Sequence, residues 1–155
     1  MNIRQIDHIG VAVADLDKYL AIFGDLVGLE VHDFEKADPY EGLRIAFARI
    51  GEVDFEFLED RAPELNEKLT DQRDISRWID KRGEGIHHIG LRVSDIQAAI
   101  DDCKSKGLLV LDEKGRPRAR GSKVAFIHPK STGGHLPPSR GAVGKSIRAT
   151  ILPGQ

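Results

Sequence analysis

Asp7-His8-Ile9-Gly10-Val11-Ala12-Val13-Ala14-Asp15-Leu16 stands near the start of the chain, and His87-His88-Ile89-Gly90-Leu91-Arg92-Val93-Ser94-Asp95-Ile96 stands near its middle. Aligned on their glycines, His8 falls on His88, an offset of 80 residues in a chain of 155. The apolar and Asp positions follow the same offset. Each stretch is a β-type run ending in an Asp that can cap a following helix. Repetition at this spacing implies two copies of one half-domain.

Each copy continues in the same way. In the first, the capped helix ADLDKYLAIFGDLVG precedes three strand candidates, LEVHDF, GLRIAFARI and VDFEFLE, the last two joined by a turn at Gly51-Glu52. In the second, DIQAAIDDCKSKG reads as a helix, and LLVLDE and KVAFIHP read as strands. The order is β-α-β-β-β twice over. Between the copies, residues 63–82 form an amphipathic helical connector with Leu65, Leu69, Ile75, Trp78 and Ile79 on its packed side, ended by Gly83 and Gly85. The expected organisation is one domain spanning 1–155. Module 1 covers about 3–60, the connector 61–85, module 2 about 86–134, and an atypical basic tail 135–155. The fold class is α+β, with two βαβββ modules forming a curved mixed sheet, helices outside, around a cleft where a site would sit.

Hydrophobic residues make up 40% and charged residues 31% of the chain, as in globular proteins. The net charge of −2 hides an asymmetry: all 25 acidic residues lie at or before Glu113, whereas Lys114 to Gln155 holds nine basic residues and no acid. No apolar run approaches the roughly 20 residues that span a bilayer. The opening MNIRQIDHIG has no apolar signal core, so a cytoplasmic protein is expected. The lone Cys103 cannot form an internal disulfide and fits a small structural residue in its helix. A pI near 6.3 and only nine aromatic residues argue against nucleic acid, and a small anionic ligand suits the basic stretch better.

His8 and His88 hold equivalent places on the first strand of each half. Glu56 interrupts an otherwise apolar strand pattern, and a carboxylate buried there is costly unless it is paired or bound to a cation. Two imidazoles and a carboxylate from different strands suit a divalent metal. The alternative is two ordinary partly buried histidines and a solvated Glu56. His87 alternates to the opposite strand face and reads as a packing or supporting residue. The tract His128-Pro129-Lys130-Ser131-Thr132-Gly133-Gly134 offers a cation, two hydroxyls and two glycines, suited to a phosphate or thioester contact or to a simple turn. Arg116, Arg118 and Arg120 in GRPRARG could meet an anionic tail or lie in a solvated loop.

The segments DHIGVAVADLDKYLAIFGDLVGLEV, DISRWIDKRGEGIHHIGLRVSDIQAAI and KVAFIHPKSTGG resemble the vicinal-oxygen-chelate, or glyoxalase/bleomycin resistance/dioxygenase, superfamily. RGEGIHHIGLRVSDI and FIHPKSTGG resemble its methylmalonyl-CoA epimerase family in particular, over roughly residues 3–134. That resemblance implies epimerisation of a coenzyme A thioester by α-proton abstraction through a metal-stabilised enolate. It implies His8, Glu56 and His88 as ligands of a divalent metal (cobalt or zinc, with manganese or nickel as alternatives) and Glu56 as a proton-handling residue. Lys130, Ser131 and Arg120 are then expected to bind the CoA substrate, and a homodimer is expected. A fourth ligand, a Glu, is expected at the position of Pro138, and a base at the position of Ile45; both are absent here, which predicts impaired activity. Pro137-Pro138 also argues against a last strand at that place. A glyoxalase acting on glutathione adducts, a dioxygenase and a non-enzymatic binding protein are the alternatives that the same scaffold allows.

Overall fold

Asp15 is extended, with φ −140°, and its side chain accepts a hydrogen bond from Lys18 N at 3.0 Å, starting helix α1 (Leu16–Leu20) at the predicted cap. Asp95 repeats the device for Ala98 N at 3.0 Å and starts a second helix over Ile96–Ser105. The computed structural model describes residues 3–36, 43–61, 73–117, 123–132 and 148–153. The chain divides into two units: residues His8–His87, and residues Met1–Asp7 with His88–Gln155. No helix among the described residues is long and apolar enough to cross a membrane.

In the unit His8–His87, strands β2 (Glu30–Lys36), β3 (Leu43–Ile50), β4 (Val53–Asp60) and β1 (Ile3–Ala12) lie side by side in that order. The β1–β4 pair is parallel and the other two pairs are antiparallel. The β3–β4 hairpin turns at Gly51, whose φ of +57° is readily adopted only by glycine. Alternation sorts the side chains onto two faces. On one face Val11, Ala46, Ala48 and Phe57 pack against Val13 and Leu16, with Tyr19 and Phe23 completing the cluster. The sequence predicts one continuous helix after Asp15, but the chain widens into π turns over Ala21–Leu26, with Val27 N bonding Ile22 O at 3.0 Å. A Cβ at Gly24 would come 3.3 Å from Val31 Cγ2, so the widened helix and β2 approach closely at this residue.

On the other face Ala12, Ile45, Phe47 and Leu58 are covered by Ile75 and Trp78 of helix α2 (Arg73–Arg82). Ile79 packs against the same cluster, as the predicted apolar stripe requires, while Leu65 and Leu69 lie outside the described residues. This stripe covers β3 and β4 within the unit His8–His87. Polar ties complete the unit. Arg44 donates to Asp17 at 2.7 Å and to Glu59 at 2.9 Å, and Glu59 Oε1 accepts from Leu16 N at 3.3 Å. These bonds fasten the start of α1 to the sheet.

In the other unit, strands β5 (Gly85–Val93, entering at His88), β8 (Arg148–Pro153), β7 (Lys123–Ile127) and β6 (Arg116–Pro117) follow in that order. β8 runs parallel to β5 and antiparallel to β7. Helix α3 (Ile96–Ser105) buries Ala99 and Cys103 in a cluster with Val93 and Ile127. Asp7 accepts a hydrogen bond from Arg92 Nε at 2.7 Å, which ties the first residues of the chain into this unit.

Two sequence expectations change here. LLVLDE is no regular strand: it makes a single bridge, Val110 to Ile127, with one backbone bond from Leu111 N to Phe126 O of β7 and one from His128 N, just past β7, to Leu109 O. The side chain of Asp112 takes over, accepting from Phe126 N at 2.8 Å where a strand would present a carbonyl. The chain also possesses a closing strand, formed by Arg148–Pro153, beyond the tract where Pro137-Pro138 argues against one. Proline there is confined to the strand's last residue, where it interrupts no ladder.

Candidate metal centre

The register of β1 on β4 builds the first half of the candidate centre. His8 stands opposite Asp54, and Gly10 stands opposite Glu56, adding no side chain of its own beside the carboxylate. His8 Nε2 lies 3.4 Å from Glu56 Oε2. Their side chains are only 8% and 12% exposed, so neither is a solvated surface group. A carboxylate withdrawn from water to this extent calls for a compensating charge or donor. His8 is near enough to supply part of that compensation. The pair therefore presents an imidazole nitrogen and a carboxylate oxygen together, the donor types that suit a borderline divalent cation.

His88 occupies the matching place in the other unit. It is 6% exposed on β5 and stands opposite Arg148 of β8, as His8 stands opposite Asp54 of β4. Its neighbour His87 is buried, and its ring meets that of Trp78 edge-on at 4.9 Å between centroids. That contact places His87 in packing, as alternation along the strand leads one to expect.

Next to the His8–Glu56 pair lies a polar group that sequence reasoning missed. Asp54 shares Glu56's sheet face, two residues earlier, and is buried. It is ion-paired to Arg49, directly opposite on β3, and its Oδ1 lies 3.3 Å from His32 Nε2. The ring of His32 in turn stacks on Phe47. The signal was present in Val53-Asp54-Phe55-Glu56-Phe57: two acids at alternate positions of one strand share a face. Ile45, on this face too, is buried in the cluster around Phe47 and supplies hydrocarbon packing and no proton carrier.

The other candidate binding residues are dispersed. Ser131 lies in a short 3-10 turn over Pro129–Thr132, and its Oγ accepts from Leu109 N at 2.8 Å. Lys130 is exposed beside it. Arg116 is engaged within the fold, paired with Asp112 and set 5.1 Å from the Phe126 ring centre. Arg118 and Arg120 lie outside the described residues, as do His135 and Pro138.

Residues 7–126 match the model of the Glyoxalase/Bleomycin resistance protein/Dioxygenase superfamily. Human mitochondrial methylmalonyl-CoA epimerase is 31% identical over 87% of this chain and 72% of its own length. The ethylmalonyl-CoA/methylmalonyl-CoA epimerase of Cereibacter sphaeroides is 32% identical over 86% of this chain and 95% of its own. The chain belongs to the methylmalonyl-CoA epimerase family. A variant methylmalonyl-CoA epimerase of Streptomyces coelicolor, solved with 2-nitronate-propionyl-CoA, superposes with a TM-score of 0.78 at 28% identity, covering 98% of this chain and 95% of that one. The fold of this family member is thus glyoxalase-like, as its repeated βαβββ order implies, and the resemblance drawn from RGEGIHHIGLRVSDI identified the right branch.

Proposed function

We propose that this protein epimerises methylmalonyl-CoA in a divalent-metal-dependent reaction, with His8, Glu56 and His88 as the metal ligands. The observation that carries the proposal is the buried His8–Glu56 pair, 3.4 Å apart, together with the buried His88 at the repeat-equivalent position. Two histidines and a carboxylate form a donor set that fits such an ion. The names of the relatives support the substrate.

The carbon to be inverted lies between a thioester and a carboxylate, so its proton is weakly acidic. Bound at this centre, a divalent ion supplies Lewis acidity that offsets the negative charge developing on the substrate oxygens. Glu56, beside His8, is the residue assigned to handle the proton. His8 and His88 would fix the position of the ion. Lys130, Ser131 and Arg120 contribute to binding the CoA portion through charge and hydroxyl contacts. Cobalt or zinc suits the nitrogen and oxygen donors, with manganese and nickel accommodated by the same chemistry.

The reading also takes the protein as one domain, as cytoplasmic, where the lone buried Cys103 remains a thiol, and as a homodimer. The decisive experiment is incubation with methylmalonyl-CoA in heavy water with added cobalt or zinc. Deuterium should enter at the α-carbon, and incorporation no faster than in a protein-free, metal-containing blank overturns the proposal. Formation of lactoylglutathione from a glutathione adduct would instead assign a glyoxalase.

A further inference from the structure

Across one row of the sheet in the unit His8–His87, Arg49 of β3 stands opposite Asp54 of β4, and Asp54 stands opposite His8 of β1. Strand alternation puts all three on the face that carries Glu56, so an arginine shares the surface of the two ligands proposed in this unit. Asp54 grips one edge of its guanidinium. Arg49 Nε is ion-paired with Oδ1, and Nη2 donates to Oδ2 at 3.0 Å. A guanidinium carries five N–H donors in a planar fork. The side-on grip leaves both N–H groups of Nη1 and the outer one of Nη2 without an acceptor among the described residues. The Asp54 side chain is 7% exposed and that of Arg49 is 39% exposed, although Nε itself is buried. The carboxylate is therefore a buried mount for a cation that reaches solvent. Arg44, on the same strand but the opposite face, shows the contrast: Asp17 and Glu59 take up its Nη1 and Nη2.

We infer that Arg49 is a substrate-binding residue, its outer guanidinium edge taking two oxygens of one anionic group, a carboxylate or a phosphate, of the CoA thioester. The inference rests on the CoA-thioester reading given above, and it adds a cation of the first unit to Lys130, Ser131 and Arg120. Asp54 offsets much of the charge of Arg49, so the pair supplies direction more than long-range attraction. A fork already held in one plane loses little freedom on binding, and it matches a two-oxygen group where an ammonium would not. An anion at the Nη edge also lies on the side away from Asp54, where repulsion between the two negative groups is least.

The test is isothermal titration of the purified full chain, stripped of metal, with CoA, propionyl-CoA and methylmalonyl-CoA. CoA carries the phosphates alone, and propionyl-CoA differs from methylmalonyl-CoA by lacking the carboxylate. Arg49→Lys keeps a charge beside Asp54 but not the fork, and is expected to weaken methylmalonyl-CoA binding by about tenfold or more. The double variant Arg49→Leu with Asp54→Leu removes the pair together, strands no buried carboxylate and should show the same loss. Weakening confined to methylmalonyl-CoA identifies the anion as the carboxylate, and equal weakening of all three identifies a phosphate. Methylmalonyl-CoA binding unchanged in Arg49→Lys overturns the inference. A loss in Arg49→Lys that the double variant does not share marks a misfitting lysine instead of a lost contact, and overturns it too. If the unsubstituted chain binds none of the three, the CoA-thioester reading itself fails, and the inference with it.

Discussion

His8 Nε2 lies 3.4 Å from Glu56 Oε2 because β1 runs parallel to β4 in a register that puts Glu56 two residues beyond Asp54, the partner of His8, and so on the same face. Two strands far apart in sequence bring the pair together, so each member can be removed without deleting the other's support. Glu56→Gln keeps the shape and one oxygen donor but removes the charge. Isothermal titration with zinc is expected to show affinity reduced at least tenfold, and deuterium incorporation to fall to the metal-containing blank. Retention of full affinity would remove Glu56 from the ligand set.

How much of this was legible in the sequence follows from which signals are local. Asp15 and Asp95 as caps, the turn at Gly51, the stripe through Ile75 and Trp78 and the His8/His88 repeat all depend on residues within a few positions or at one fixed offset. They appear in the structure as read. Two features were hidden from a local reading. The Asp54–Arg49 ion pair depends on the register of β3 on β4. The π turns over Ala21–Leu26 leave no periodic signature distinguishable from an ordinary helix.

Asp15 and Asp95 make the same cap in the two halves, each accepting a backbone N–H at 3.0 Å. Replacing either by Ala leaves that donor without its side-chain acceptor and is expected to lower stability by about 1 kcal/mol. Urea titrations of Asp15→Ala and Asp95→Ala should give midpoints lowered by similar amounts with unchanged slopes. A loss confined to one variant would show that the two caps, though alike in geometry, carry different loads.

Arg44 bridges Asp17 and Glu59, and its guanidinium holds the Asp17 carboxyl below the ordinary carboxylate range. The direction sets the sign: a carboxyl with a depressed pKa in the folded state contributes stability above its unfolded pKa and loses it as pH falls through the folded value. Arg44→Met is therefore expected to cost more near pH 7 than at a pH low enough to protonate Asp17 in the folded protein. Paired thermal melts of both proteins across this range check it. An equal shift at every pH would mean that Arg44 acts through its hydrocarbon stem and not its charge.

Trp78 closes the face of the first unit, buried against Ala12, Ile45, Phe47 and Leu58, and its ring meets both His87 and Arg82. Truncation to Ala would open a cavity under the helix, at a cost of about 3–5 kcal/mol on the scale of core aromatic deletions. Trp78→Phe keeps most of the packing volume and is expected to recover more than half of that loss. Because Trp78 is the chain's only tryptophan, the conservative variant must be followed by circular dichroism instead of intrinsic tryptophan emission. Failure of Phe to recover stability would point to the indole's contacts with His87 and Arg82, and not its bulk, as the stabilising element.

Cys103 is 1% exposed in the cluster of Val93, Ala99 and Ile127, and burial pushes its thiol pKa up, with the Asp102 charge adding to the effect. The thiolate is the form that alkylating reagents attack, so burial suppresses both access and ionisation. In native protein at pH 8, iodoacetamide is expected to label Cys103 at least a hundredfold more slowly than in urea-unfolded protein. The native rate should track the global unfolding equilibrium as urea is raised, since the residue sits under α3 and β7 and is reached only when they separate. Rapid labelling in the absence of denaturant would show that α3 opens locally without the rest of the unit.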